Sequence, residues 1–136
     1  IVKGIDYSPV SVEKSQKVNA DAIAKGRCTI LQGSVAKRIF AEGWFEAVTA
    51  FETVYFWPEL PQCFHEIHRM LKPGGMFLIC NESSGDTDKD EKWTKIIDGM
   101  TIYKDVELKA DLEQAGFCDV QIHKNKWGWL CVTARK

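Results

Sequence analysis

The chain has 136 residues, with 18 lysines and arginines against 19 aspartates and glutamates, for a net charge of -1. This length suits one domain with a real core. A balance this even, without a basic block or an acidic tail, argues against nucleic acid or an anionic membrane as partner and leaves a small molecule as the expected one. The five cysteines (Cys28, Cys63, Cys80, Cys118, Cys131) are scattered, odd in number and contain no C-x-x-C. They therefore read as reduced, mostly buried thiols of a cytoplasmic protein rather than as a disulfide framework or a zinc knuckle. The apolar runs fall well short of the roughly 18 residues that a membrane span requires, so a soluble protein is expected.

IVKGID predicts a short buried strand ending near Asp6. Ser8 is a good N-cap and Pro9 a good first helical residue, so a helix is expected from here to Lys25, stopped by Gly26. CTILQ, Cys28 to Gln32, is the next strand, closed by Gly33. FEAVTAF, Phe45 to Phe51, is a nearly continuous apolar run and predicts a strand covered on both faces. Leu60, Phe64, Ile67 and Leu71 then form one apolar stripe at helical spacing over residues 58–71. Pro73, Gly74 and Gly75 break that helix and turn the chain into GMFLICNE, a second buried strand.

The polar run SSGDTDKDE has the composition of a mobile loop, either a plain connection or a lid. From Asp105, read as an N-cap, the spacing of Leu108, Leu112 and Ala115 predicts an amphipathic helix ended by Gly116. Residues 117–123 and 129–134 are expected to pair as an antiparallel hairpin through the Asn125 region. The order implies an α/β fold: a mostly parallel sheet, helices on both faces, and an antiparallel C-terminal hairpin.

Four stretches together, GIDYSP, FEAVTAF, EIHRMLKPGGMFLI and LEQAGFCDVQIHK, resemble the class I S-adenosylmethionine-dependent methyltransferases from the second strand of that Rossmann-like fold onward. The resemblance implies S-adenosylmethionine as cofactor and methyl transfer to a small-molecule acceptor. In an open α/β sheet ligands sit outside the carboxyl ends of the strands. There Asp6 would accept from both ribose hydroxyls, or alternatively cap the nearby helix. Tyr7 would pack on the adenine face or simply cover the helix start. Ser34 stands where the family commonly carries an acid for the adenine amino group, and a hydroxyl can still accept there, with the Val35 N–H reaching a ring nitrogen. Phe51 and Glu52 correspond to the region lining the methionine part. Phe51, Tyr55, Phe56 and Trp57 could wall a sulfonium through cation–π attraction, or be ordinary buried aromatics.

Tyr55, Trp57 and Asn81 are the substrate-side candidates, and Glu82 is the candidate to orient or deprotonate an acceptor. His65 and His68, three apart on one helix, lack further ligands. They read as solvated, and no metal is expected. The glycine-rich turn of the family belongs to a first strand and helix that would precede Ile1, so a single methyltransferase-like domain over residues 1–136, truncated at its N-terminus, is expected. Without that central strand two sheet edges would stay unpaired, which predisposes the chain to self-association. Short-chain dehydrogenases also place an acid after the second strand, but their Tyr-x-x-x-Lys is absent, since Ser11, Glu59 and Glu107 lie four after the tyrosines. The alternative is a non-catalytic methyltransferase-like binding module.

Overall fold

The computed structural model describes the backbone of residues 1–136 and every side chain except those of residues 88, 89 and 91. Its contacts gather into two units, Ile1–Ile39 and Phe40–Lys136.

In the first unit β1 (Val2–Asp6) and β2 (Cys28–Gln32) run parallel, from Val2 opposite Cys28 to Asp6 opposite Gln32. The expected helix between them starts as predicted, with Pro9 in its first turn and the Ser8 hydroxyl accepting from the Ser11 N–H. It does not reach Lys25 unbroken. α1 (Pro9–Val18) ends at Asn19, whose amide nitrogen donates back to the Ser15 carbonyl, and a short α2 (Ala20–Ala24) follows. A side chain that competes for backbone carbonyls interrupts a helix in this way. Val12 is the only buried residue among the first 39.

The second unit carries β3 (Phe45–Phe51), α3 (Leu60–Met70), β4 (Leu71–Asn81), α4 (Asp88–Ile96), α5 (Asp105–Gln114), β5 (Cys118–Lys124) and β6 (Leu130–Arg135). Its sheet has the order β3-β4-β6-β5, with β3 and β4 parallel and the other two pairings antiparallel. Alternation along β4 sends Phe77 and Ile79 to the buried side, where Val132 and Ala134 of β6 join them. α3 covers them with Phe64 and Ile67, and α5 with Leu108 and Leu112, all fully buried. The Phe77 ring stacks on Trp57 at 6.2 Å, meets Phe64 edge-on at 5.8 Å and lies 5.9 Å from Phe117.

The phrase LKPGG proves to be more than a helix stop. Phe45 faces Leu71 and Ala47 faces Met76, so one residue of β3 stands against four of β4 in a wide bulge. Gly75 is required there, because a Cβ would sit 2.9 Å from the Lys72 carbonyl oxygen and 3.2 Å from that of Glu46. The C-terminus clasps the same bulge, with Lys136 N–H donating to Gly75 O and Gly74 N–H to Lys136 O.

Two further expectations are corrected. The polar run is not a loop throughout, since α4 begins inside it. The Asp90 carboxylate, largely buried, accepts from the Gly85 N–H and ties the helix start to the turn before it. The N-cap of α5 is Lys104 rather than Asp105. Its N–H donates to the Glu107 carboxylate at 2.8 Å, half of a capping box. The hairpin forms as read, with the Asn125 side-chain oxygen accepting from the N–H groups of Trp127 and Trp129.

Phe77 is buried among Phe64 of α3, Trp57 and Phe117, so Phe77→Ala should destabilise the second unit by about 3–5 kcal/mol, read as a lower midpoint in urea denaturation.

Candidate functional site

Both units present strand ends of the kind where open α/β sheets hold ligands. In the first, β1 ends on Asp6. Its Oδ1 accepts from the Ser8 N–H at 2.8 Å, so the capping role is real. Oδ2 has no partner among the described residues and keeps acceptor capacity. Tyr7 follows with its ring mostly in solvent. After β2, the Ser34 hydroxyl accepts from the Ala36 N–H at 3.3 Å in a turn that also holds Val35, and both side chains are half-buried.

In the second unit an open cleft of about 470 Å³ lies at the carboxyl ends of β3 and β4. β3 supplies Phe51, and the chain then turns sharply at Glu52, whose φ of 55° is left-handed. A glutamate in that region costs of order 1 kcal/mol or more. Two hydrogen bonds hold it there. The Glu52 N–H donates to Cys80 O at 3.0 Å, and its carboxylate accepts from the Glu82 N–H at 2.6 Å. Partial burial, the largest influence, and the Glu82 charge push the Glu52 carboxyl above its usual range, against the opposing pull of the Glu82 N–H and the Tyr55 hydroxyl.

β4 supplies Cys80 and Asn81. The Asn81 amide is almost wholly buried, and neither its oxygen nor its nitrogen has a hydrogen-bond partner. An unpartnered buried amide costs about 1–3 kcal/mol, a cost that a hydrogen-bonding group placed beside it would offset. The hairpin completes the wall with His123, Trp129 and Cys131. Lys124 also borders the cleft, but its ammonium is engaged by Asp86 at 2.5 Å and Asp105 at 2.7 Å, which raise its pKa and lower theirs.

The structure therefore brings Phe51, Glu52, Asn81 and Glu82 to one cleft. It does not bring Tyr55 or Trp57 into the lining. Tyr55 is buried, with its hydroxyl accepting from the Ser83 N–H at 2.9 Å and facing the Ser83 carbonyl at 3.3 Å, and burial pushes the phenol far above its usual pKa. Trp57 stacks on Phe77 instead. His65 is exposed as read, whereas His68 is half-buried edge-on against Phe117, and burial lowers its pKa. No cluster of three metal-ligating side chains occurs among the described residues. Sequence reasoning missed His123, Trp129 and Cys131. The parity of the hairpin about Asn125 carried that signal, since it sets His123 opposite Cys131.

Comparison with known proteins identifies the family and the fold. The family described as "Methyltransferase domain" matches residues 1–79, more than half of the chain. The Arabidopsis thaliana cycloartenol-C-24-methyltransferase is 29% identical over 129 residues, 86% of this chain and 38% of that protein. The chain thus spans well under half the length of the curated relatives it matches. Among solved structures, a SAM-dependent methyltransferase from Aquifex aeolicus superposes with a TM-score of 0.79 at 18% identity, over 98% of this chain and 68% of that one. The [4+2]-cyclase SpnF does so with a TM-score of 0.77 at 18% identity, over 98% and 65%. These structures share the fold, and no helix among the described residues is long and apolar enough to cross a membrane. With the family matched from β1 through Ile79 of β4, the chain belongs to the methyltransferase domain family.

Proposed function

We propose that the protein carrying this chain transfers a methyl group from S-adenosylmethionine to a small-molecule acceptor. The observation that carries this reading is Asn81: a buried amide with no partner, at the carboxyl end of a strand, in a cleft bordered by two carboxylates. Such a group keeps hydrogen-bonding capacity that a bound polar ligand can take up. S-adenosylmethionine, when bound, supplies an electrophilic methyl on a cationic sulfur. Each unit, taken by itself, carries residues suited to part of it. Asp6 retains an oxygen for the ribose hydroxyls beyond the one used on Ser8. Ser34 and the Val35 N–H suit the adenine, with Tyr7 available as an aromatic cover.

Phe51 and Glu52 suit the cationic methionine part. The cleft carries Glu52 and Glu82, while Lys124, already held by Asp86 and Asp105, adds little uncompensated positive charge. A bound cation would favour the ionised form of the Glu52 carboxyl, which burial otherwise pushes up, so the cleft suits a cation. Phe51, Trp129 and Leu130 make the rest of the wall apolar, which suits an apolar acceptor, in keeping with the sterol-type name of the Arabidopsis relative. In-line displacement from a sulfonium relies on positioning and exclusion of water, so Glu82 is assigned the orienting of the acceptor and any proton transfer from it. The unpaired cysteines suit a reducing, cytoplasmic setting.

A second reading, a non-catalytic binding module, is favoured by Ser34 in place of the usual acid. Calorimetric titration with S-adenosylhomocysteine separates the two. Binding is expected, with Asp6→Asn weakening it roughly 10- to 100-fold, the equivalent of a charge-assisted hydrogen bond. Failure of the folded protein to bind would sink the methyltransferase reading in favour of the module.

Asn81→Leu should weaken the same binding while stabilising the unliganded protein by about 1–3 kcal/mol, because it removes the orphaned amide. A loss of stability in chemical denaturation would show that the amide serves the fold instead.

Because the Glu52 carboxyl is raised in the folded state, folding favours its protonated form. Its favourable contribution is present below the unfolded value of about 4.3 and is lost as pH rises through the folded value. Glu52→Gln should therefore match the parent at acid pH and gain in relative thermal stability as pH rises to neutral. A variant that is less stable at neutral pH would mean that the ionised carboxylate on the Glu82 N–H dominates.

A further inference from the structure

Cys80 and Cys131 stand directly opposite each other on the antiparallel strands β4 and β6. Their sulfurs are 3.6 Å apart, with the Cys80 S–H directed at Cys131 Sγ. Both side chains are half-buried and both line the open cleft. The other three cysteines lie elsewhere: Cys28 on β2, Cys63 buried in α3, and Cys118 exposed at the start of β5.

Directly opposed residues on antiparallel strands have Cα atoms about 4.5–5.5 Å apart, inside the range of about 4.4–6.8 Å that a disulfide spans. Backbone pairing alone therefore meets the main geometric requirement, and side-chain rotation has only to bring the sulfurs from van der Waals contact to bonding distance. The strand ladder on both sides of the pair keeps this alignment fixed.

We infer that Cys80 and Cys131 form a reversible dithiol–disulfide site in the wall of the cleft, open to a low-molecular-weight disulfide of the glutathione class. The Cys131 thiolate attacks one sulfur of the oxidant RS–SR. A Cys131–S–S–R bond forms, the RS–SR bond breaks, and one RS⁻ leaves and takes up the proton that Cys131 released. The Cys80 thiolate then attacks Cys131 Sγ, closing the Cys80–Cys131 bond and expelling the second RS⁻, which is protonated in turn. The two protein sulfurs are oxidised, the two sulfurs of RS–SR are reduced, and two RSH are released for each disulfide formed. The order follows from Cys80, whose S–H donates toward Cys131 Sγ and whose thiol burial and that contact push up to about 11. It is held protonated and acts second, as the resolving thiol. In a glutathione-buffered compartment such an accessible pair is a transient, regulatory disulfide rather than a structural one. This inference does not depend on which ligand the cleft binds.

Peptide mapping after incubation of the native protein with oxidised glutathione, acid quenching and alkylation tests it. The expected result is one intramolecular Cys80–Cys131 disulfide, with two of the five thiols lost to alkylation, and full reversal by dithiothreitol. Cys80→Ser, or Cys80→Ala should the serine variant fold poorly, should hold glutathione on Cys131 as a stable mixed disulfide. Cys131→Ser should leave Cys80 unmodified over the same time, and Cys118→Ser should leave the cross-link unchanged. Glutathione on Cys80 and Cys131 separately with no cross-link, or a cross-link that engages Cys118, overturns the inference.

Discussion

Strand β4 is the constraint on which the larger unit depends. It pairs with β3 on one side and β6 on the other, and its alternation divides the unit's chemistry in two. Phe77 and Ile79 face the helices and bury completely, while Met76, Leu78 and Cys80 face the other way and stay half-buried. A shift of one residue would exchange these sets, placing the Cys80 thiol in the core and Phe77 in solvent. Core packing and cleft composition are therefore fixed by the same register.

The cleft departs from local rules in three places, and they are close in sequence or register. Glu52 holds a left-handed backbone that glycine would adopt more cheaply. Its carboxyl is pushed toward the neutral form beside a second carboxylate. Asn81 buries an amide without a partner. Each costs stability, and none improves packing. Glu59 and Asp119 are also left-handed, but only at this strand end do a left-handed residue, a raised carboxyl and an unpartnered amide coincide, which is where a ligand can return the stability lost. Tyr55 and Trp57 behave in the opposite way: one buried hydroxyl is shared between Ser83 and the Glu52 carboxyl and one ring is stacked on Phe77, so neither lines the cleft.

Periodicity made most of the second unit legible. The stripe of Leu60, Phe64, Ile67 and Leu71 is buried as spaced, and the hairpin turns where Asn125 predicts. Composition failed at residues 83–91, because charge density looks the same in a loop and in a solvated helix. The deciding contact, Asp90 to the Gly85 N–H, is a tertiary detail that no local pattern encodes. The break at Asn19 was readable in principle, since asparagine competes for carbonyls, but one polar residue inside a polar helix gives a weak signal. At the site, strand ends identified Asp6, Phe51, Glu52 and Asn81, because the end of a strand is a local property. The pairing of Cys80 with Cys131 was not readable. It needs the register between strands 51 residues apart, which only the folded sheet sets.

That register is itself set far from the cleft. The bulge formed by Lys72 to Gly75 absorbs three extra residues on β4, after which the two strands pair without interruption from Ala47–Met76 to Phe51–Cys80. An ion pair between Lys72 and Glu46 bridges the bulge, and the C-terminal backbone clasps it through Gly74 and Gly75. If the bulge absorbed one residue fewer, Phe51 would face Ile79 instead of Cys80. The Glu52 N–H would lose the Cys80 carbonyl, and the Glu52 carboxylate would lose the Glu82 N–H. The glycine pair at the amino end of β4 therefore touches no cleft residue, yet it determines which side chains meet at the carboxyl end.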